Sequence, residues 1–93
     1  MDITLKAIIE GIIFVFGEEG ISLAQLSEAL DLGEDYIRNI LDEMVSAYQS
    51  EDRGFELISV QDRYKFISKA AVHDYVQRII TLPKSPQLPQ PAL

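Results

Sequence analysis

The chain has 93 residues, 47% of them hydrophobic, which is enough for one small domain with a buried core. Fifteen acidic residues against eight basic ones give a net charge of −7, and this charge repels polyanions at long range. Cysteine is absent, which excludes disulfides and thiolate metal sites, so we expect a reducing compartment, the cytoplasm.

The first predicted helix runs from Thr4 to Phe16, where Gly17 ends it with the positive φ that glycine tolerates. Its main apolar stripe, at helical spacing, consists of Leu5, Ile8, Ile9, Ile12, Ile13 and Phe16. A second set of apolar or small residues shares the opposite side of the helix: Ile3, Ala7, Gly11 and Phe14. The helix therefore offers contact surfaces on two sides.

Two more helices are predicted next. Ser22 opens the second helix through a capping box with Gln25, and this helix ends near Asp31. Gly33 marks a tight turn into the third helix. The residues that we expect the third helix to bury are Ile37, Ile40, Leu41, Met44, Val45 and Tyr48.

The last part of the chain predicts a β-hairpin, a helix and a tail. Residues 55–60 and 64–68 are rich in β-branched and aromatic side chains, with a three-residue loop predicted at 61–63. Residues 70–82 form the predicted final helix. The tail should be an extended linker or, alternatively, a polyproline II ligand for a groove, because it contains Pro83, Pro86, Pro89 and Pro91.

This order of elements predicts an α+β, mainly helical fold over residues 1–82, a winged helix with a three-helix core, a hairpin wing and a C-terminal helix. A DNA-binding winged helix places its third helix in the major groove, where basic side chains neutralise phosphates. Between Glu34 and Glu51 this chain has one basic residue, Arg38, against Glu34, Asp35, Asp42, Glu43 and Glu51. The pattern favours a protein partner over a nucleic acid.

An alternative function is a transcription regulator that contacts DNA through its wing. Three basic residues on the predicted wing could reach phosphates: Arg63, Lys65 and Lys69. On a domain of charge −7, we expect such binding to be weak or absent and sensitive to salt.

The second side of the first helix has two possible roles. The wing and the last helix could cover it within one domain, or it could form an interface with another subunit. The candidate interface residues are Ile3, Ala7, Phe14 and Tyr36.

Catalytic chemistry is not indicated. His73 is the only histidine, and no nucleophile or carboxylate is spaced to work with it. We expect His73 to lie on a helix surface. The sequence has neither a calcium-loop pattern nor a glycine-rich phosphate loop after a strand. It therefore predicts no enzyme, no cofactor and no metal.

Three segments, in order, resemble the bacterial segregation and condensation protein B (ScpB) family. Residues 6–18 resemble the opening helix of that family, I-E-A-(L/I)-L-F-x-x-G-E, and residues 21–26 resemble its Ser-Leu continuation. Residues 55–69 resemble the family's returning strand, in which an aromatic-basic-apolar run ends in Thr/Ser-Lys. Gly33 departs from the Ser or Thr that often caps the third helix, which should weaken that cap slightly.

The resemblance implies a first domain of a longer protein, since residues 90–93 resemble the start of the family's second winged helix. Residues 83–93 would then be a proline-rich linker towards a missing second domain. It also implies a homodimer formed through this domain, and association with the kleisin segregation and condensation protein A. Through the kleisin, the domain would act as a non-enzymatic scaffold on an SMC ATPase in chromosome condensation and segregation.

Overall fold

The computed structural model describes residues 3–83. In chain order its elements are α1 (Leu5–Phe16), a 3₁₀ turn (Gly17–Glu19), β1 (Ile21–Ser22), α2 (Leu23–Leu30), α3 (Glu34–Ala47), β2 (Phe55–Val60), β3 (Arg63–Ser68) and α4 (Ala70–Ile80). This order confirms the predicted α+β, mainly helical winged helix. The predicted linker lies, apart from Pro83, outside the described residues.

The two ends of α1 follow from local chemistry. Thr4 caps the start, since its hydroxyl accepts from the backbone N–H of Ala7 at 3.1 Å. Gly17 ends the helix at φ 55°, and Gly20 closes the next turn at φ 72°. A Cβ on Gly20 would lie 2.9 Å from the carbonyl oxygen of Tyr64, so glycine is required there by both conformation and space.

The predicted capping box of α2 is present. The backbone N–H of Gln25 donates to the Ser22 hydroxyl, and the Ser22 N–H donates to Oε1 of Gln25, both at 3.0 Å. Asp31 ends α2 in the left-handed conformation. Gly33 is the N-cap of α3 and gives it no side-chain hydrogen bond, so that helix start relies on packing and on the acidic Glu34 and Asp35 in its first turn.

The sheet is antiparallel, with strand order β1-β3-β2. Its first strand is absent from our prediction, because two residues are too few for any alternation of hydrophobicity to show. β1 pairs Ile21 with Tyr64 and Ser22 with Arg63, which places the start of α2 against the wing.

The predicted three-residue loop of the wing is wrong. Arg63 is the first residue of β3 and pairs with Val60, so that only Gln61 and Asp62 connect the strands. Both have positive φ, 52° and 67°, as in the two-residue turn whose twist matches that of the flanking strands. A sequence without glycine at this turn gives little indication of it.

The core lies between α1, α2, α3 and the inner face of the sheet. The predicted stripe of α3 is confirmed, with Ile40 and Val45 partly buried and the others buried. The stripe predicted for α1 is too wide, because Ile8 is only partly buried and Phe16 is 43% exposed. The buried hydrophobic residues are Ile9, Ile13, Ile21, Leu23, Leu26, Ile37, Leu41, Met44, Tyr48 and Leu57.

The last helix, α4, differs from the other three because it contributes no buried residue. It ends at Ile80, two residues before the predicted end. Lys69 begins it as N-cap, and its ammonium group donates to the carbonyl oxygen of Ser50 at 2.6 Å. Among residues 3–83, no helix is long and apolar enough to cross a membrane.

Candidate interaction surface on α1

The outer face of α1, formed by Ile3, Ala7, Gly11, Phe14 and Val15, is an apolar surface directed away from the core. Phe14 is 77% exposed, Val15 76% and Ile3 50%, whereas Ile9 and Ile13 on the inner side are fully buried. Ala7 is partly buried and Gly11 is exposed. The helix therefore carries apolar groups on two opposite sides, as its sequence indicates.

A shallow depression runs along this face. Gly11 lies within it, and a Cβ added there would meet no atom within 4 Å apart from the helix's own backbone and neighbours. A partner side chain could approach the helix backbone at this point. The depression is lined by Ile3, Ala7, Ile8, Gly11, Ile12, Val15 and Phe16.

The sequence left two possibilities for the outer face of α1. The wing and the last helix could cover it, or it could contact another subunit. In the part of the chain that the structure describes, neither element covers Phe14 or Val15, which keep more than three quarters of their surface exposed. An apolar surface of this kind is typical of a contact with another molecule.

One edge of the outer face is fixed to α3 by polar contacts. The Lys6 ammonium lies 3.1 Å from Oε1 of Glu43, and the Tyr48 hydroxyl donates to Oε2 of Glu10. The guanidinium of Arg53 lies 5.2 Å from the centre of the Tyr48 ring. The exposed ion pair adds little stability, so the orientation of α1 is set mainly by the fully buried Ile9 and Ile13 on its inner side, with the Tyr48–Glu10 hydrogen bond at one edge.

Tyr48 is the residue whose acidity these contacts alter. Burial raises the pKa of its hydroxyl to about 12, and the hydrogen bond to Glu10 and the negative charge of that carboxylate act in the same direction. Arg53 acts in the opposite direction. The phenol is therefore a neutral donor at physiological pH and keeps Glu10 in place.

Tyr36 is placed differently from the other candidate residues. It is 56% exposed in the first turn of α3, whereas the other three lie on the outer face of α1. Of those three, Ile3 and Ala7 line the depression and Phe14 lies beside it. Val15, conversely, belongs to the outer face although our sequence analysis omits it. Its position four residues after Gly11 was the signal that could have identified it.

The surfaces that a DNA-binding winged helix would use carry few available positive charges. Arg38 faces Asp35 at 3.8 Å on α3. On the wing, Nη1 of Arg63 donates to the carbonyl oxygen of Gly20 at 3.3 Å, and Lys69 donates to Ser50. These contacts hold two of the three wing cations against the domain's own backbone.

His73 was the residue considered for a catalytic role. His73 is exposed on α4, as expected for a surface position. Within residues 3–83, no group of three or more His, Cys, Asp or Glu side chains is arranged to hold a metal ion. The surface on α1 is suited to protein contact.

Comparison with known proteins assigns the chain to a family. Residues 7–93 match the family model described as segregation and condensation complex subunit ScpB. Segregation and condensation protein B of Oceanobacillus iheyensis is 36% identical over 88 residues, which are 95% of this chain and 46% of that protein. The protein of the same name from Bacillus cereus strain AH187 shows the same identity and coverage. The chain thus spans about half the length of these relatives.

Two crystal structures share the fold. One is a dimer of the ScpB N-terminal domain complexed with an ScpA peptide, 27% identical, with a TM-score of 0.76 over 78% of this chain and 90% of that one. The other is ScpB from Mycobacterium tuberculosis, with a TM-score of 0.73 over 82% of this chain and 47% of that one. At 18% identity, the second supports the fold alone. The chain belongs to the segregation and condensation complex subunit ScpB family.

Proposed function

We propose that this domain is a non-catalytic, dimerising scaffold subunit of the bacterial SMC–kleisin condensin complex, acting in chromosome condensation and segregation. The observation that carries the proposal is the outer face of α1, an apolar surface left exposed on a helix whose inner side is packed in the core. Membership of the ScpB family supports it, and so does the related N-terminal domain, which is a dimer with an ScpA peptide.

The proposed mechanism is assembly. The outer face of α1 binds a second copy of the chain, and the dimer binds the kleisin segregation and condensation protein A, which links it to the SMC ATPase. The acidic surface of α3 disfavours the major groove, so the domain reaches DNA only through its partners. The complex would act in the cytoplasm, at the nucleoid.

The dimer is tested by the variant Phe14→Asp. A carboxylate at the centre of an apolar interface is desolvated without a partner, so we expect the variant to be monomeric at concentrations where the parent chain is a dimer. Light scattering over a concentration series measures the mass. Val60→Asp is the control, because Val60 is also an exposed apolar residue, at 44%, but lies on β2, away from α1. A folded Phe14→Asp variant with unchanged mass contradicts the interface.

The kleisin contact requires a separate measurement. We expect calorimetric titration of the 93-residue chain with a peptide of segregation and condensation protein A to show saturable binding. The peptide in scrambled order is the control. Heats no larger than those of the scrambled peptide would mean that this domain alone does not hold the kleisin.

The expectation that the domain binds DNA weakly or not at all is tested with a variant of the wing. Arg63→Glu combined with Lys65→Glu reverses two positive charges, which strongly weakens a regulator that contacts phosphates through the wing. For a scaffold we expect no specific duplex binding by either protein at physiological salt, measured by fluorescence anisotropy. Sequence-specific binding that the double variant abolishes would support the transcription-regulator alternative.

A further inference from the structure

Strand β2 is an edge strand whose outer side is unpaired. Within residues 3–83 it pairs with β3 on one side and with no strand on the other, which we call the free edge of β2. The opposite edge of the sheet is β1, with only two residues. Edge strands are usually protected against further pairing by proline, lysine, a bulge or short length. The six residues of β2 include neither proline nor lysine, and they pair with β3 without a bulge. The strand is therefore open to pairing with another chain.

The hydrogen-bonding pattern of the wing shows which backbone groups face the free edge. In an antiparallel pair, alternate residues of a strand bond to the neighbouring strand, and the residues between them point away. The two-residue turn makes Val60 and Arg63 a hydrogen-bonded pair. At the other end of the wing, the Lys69 N–H donates to the carbonyl oxygen of Gly54 at 3.0 Å, which continues the same alternation. The residues whose N–H and C=O groups point to the free edge are Phe55, Leu57 and Ser59.

The first half of β2 has an acidic border. Glu56 lies on the strand, and Glu51 and Asp52 line the same groove, between the preceding loop and the start of α4. The two cations of this groove, Lys69 and Arg53, already contact groups of the domain itself. Glu56 forms no ion pair within the described part of the chain. A positive charge on a partner would therefore be favoured at this end of the strand.

The other side chains of β2 are mostly apolar. Side chains alternate along a strand, so Ile58 and Val60 share the outer face of the sheet with Glu56. Val60 is 44% exposed, and Phe55, on the inner face, is 45% exposed. Pairs of apolar side chains and pairs of opposite charge both stabilise neighbouring strands. A strand that fits this edge thus carries apolar residues and one basic end.

A second copy of β2 does not have this composition. It would bring another Glu56 to the edge and no cation, because β2 contains neither lysine nor arginine. An extended segment from a different protein can supply the charge that the edge lacks.

We propose that the free edge of β2 binds an extended segment of a partner protein as a fourth, antiparallel strand of the sheet. The segment is apolar along its length and has Lys or Arg at its C-terminal end. Antiparallel pairing is the more stable arrangement, and it places the C-terminal end of the segment beside Glu56. The free edge of β2 is separate from the outer face of α1, so the inference does not depend on the proposed dimer.

A synthetic peptide tests the binding. The probe alternates valine and threonine, ends in two lysines and carries a fluorescent label at its N-terminus. We expect saturable binding to the 93-residue chain by fluorescence anisotropy, and binding at least about tenfold weaker when two glutamates replace the lysines, because like charges then meet. A lysine peptide that shows no saturation up to its solubility limit would overturn the proposal.

Amide hydrogen exchange, followed by NMR, tests the strand pairing itself. We expect the lysine peptide to slow exchange at the amides of Phe55, Leu57 and Ser59, which gain a hydrogen bond. The amides of Glu56 and Ile58 already bond to β3 and should change much less. Binding without this alternation would place the peptide elsewhere and overturn the proposal.

Ser59→Pro tests the edge by mutation. It removes an N–H that points away from β3, and proline is tolerated at such edge positions. We expect the lysine peptide to bind Ser59→Pro at least about fivefold more weakly than Ser59→Ala, which keeps the donor. Equal binding by the two folded variants would overturn the proposal. A lower mass of Ser59→Pro in light scattering would assign the edge to a second copy and overturn the proposed partner.

Glu56→Lys tests the chemistry of the partner and leaves every backbone donor of β2 in place. We expect this variant to reverse the preference, so that the peptide ending in glutamates binds more tightly than the peptide ending in lysines. An unchanged preference for lysines would overturn the role of the acidic border and, with it, the proposed basic end.

Discussion

Helices α3 and α4 are both amphipathic, but within residues 3–83 only α3 is covered by the rest of the chain. α3 has 14 residues and buries Ile37, Leu41 and Met44, whereas α4 has 11 residues and buries none. Hydrophobic periodicity indicates in both cases that one side of the helix will be covered. It does not indicate whether that side packs against the same chain or against another molecule. A side packed within the chain contributes to stability, whereas an exposed one is available for binding.

The largest expected effect separates the two helices directly. Leu41 is fully buried, so Leu41→Ala should lower the free energy of unfolding by about 2–5 kcal/mol. Ile80→Ala removes a similar apolar group from α4, where the side chain is 58% exposed, and should change it by less than about 0.5 kcal/mol. Urea denaturation of dilute, monomeric protein measures both. Equal losses would mean that α4 is as well packed as α3.

Two glycines extend the comparison to α1 and the turn that follows it. Gly20→Ala introduces a Cβ at φ 72° and 2.9 Å from a carbonyl oxygen, so a loss of about 1–3 kcal/mol is expected. Gly11→Ala meets open space inside a helix and should stabilise the monomer by up to about 1 kcal/mol.

The same Gly11→Ala variant should weaken the proposed dimer, because the added methyl group fills the depression on α1. Thermal unfolding at low concentration and light scattering at high concentration separate the two effects. A more stable monomer with an unchanged dimer would place the interface away from Gly11.

A further expected effect depends on pH. The pKa of Tyr48 is raised from 10.0 to about 12 in the folded chain, so between these pH values the unfolded chain releases a proton that the folded chain retains. The wild type should therefore lose stability in this window, whereas Tyr48→Phe lacks this contribution. The stability advantage of the wild type over Tyr48→Phe should shrink from pH 10 to pH 12, as measured by urea denaturation. A constant advantage would contradict the raised pKa.

Much of the fold could be predicted from sequence because its helices have clear periods and end signals. Gly17 ends α1 as expected, and the pair Ser22 and Gln25 caps α2. The two errors in the sheet have a common cause. β1 is two residues long, and the wing turn uses Gln61 and Asp62 at positive φ, so neither leaves a strong signal in composition.

The candidate site was harder to predict than the fold. Ile3 and Phe14 are exposed on one helix side, as the spacing implied, because helical geometry is local. The extent of the surface depends on what the rest of the chain covers. Phe16 is assigned to the core by periodicity but is 43% exposed, and Tyr36 lies on another helix, outside the depression. Such placements follow from tertiary packing, which a single sequence does not display.

The lack of buried residues in α4 has a consequence for how the chain behaves at different expression levels. A helix of 11 residues is marginal in water on its own, and within residues 3–83 none of α4 is buried, so a partner on its apolar side would add to its stability. By mass action, the apparent melting temperature then rises with protein concentration. If a partner covers the apolar side of α4, limited proteolysis should cut this helix faster in dilute than in concentrated protein. Abundance itself would therefore act as a control on assembly.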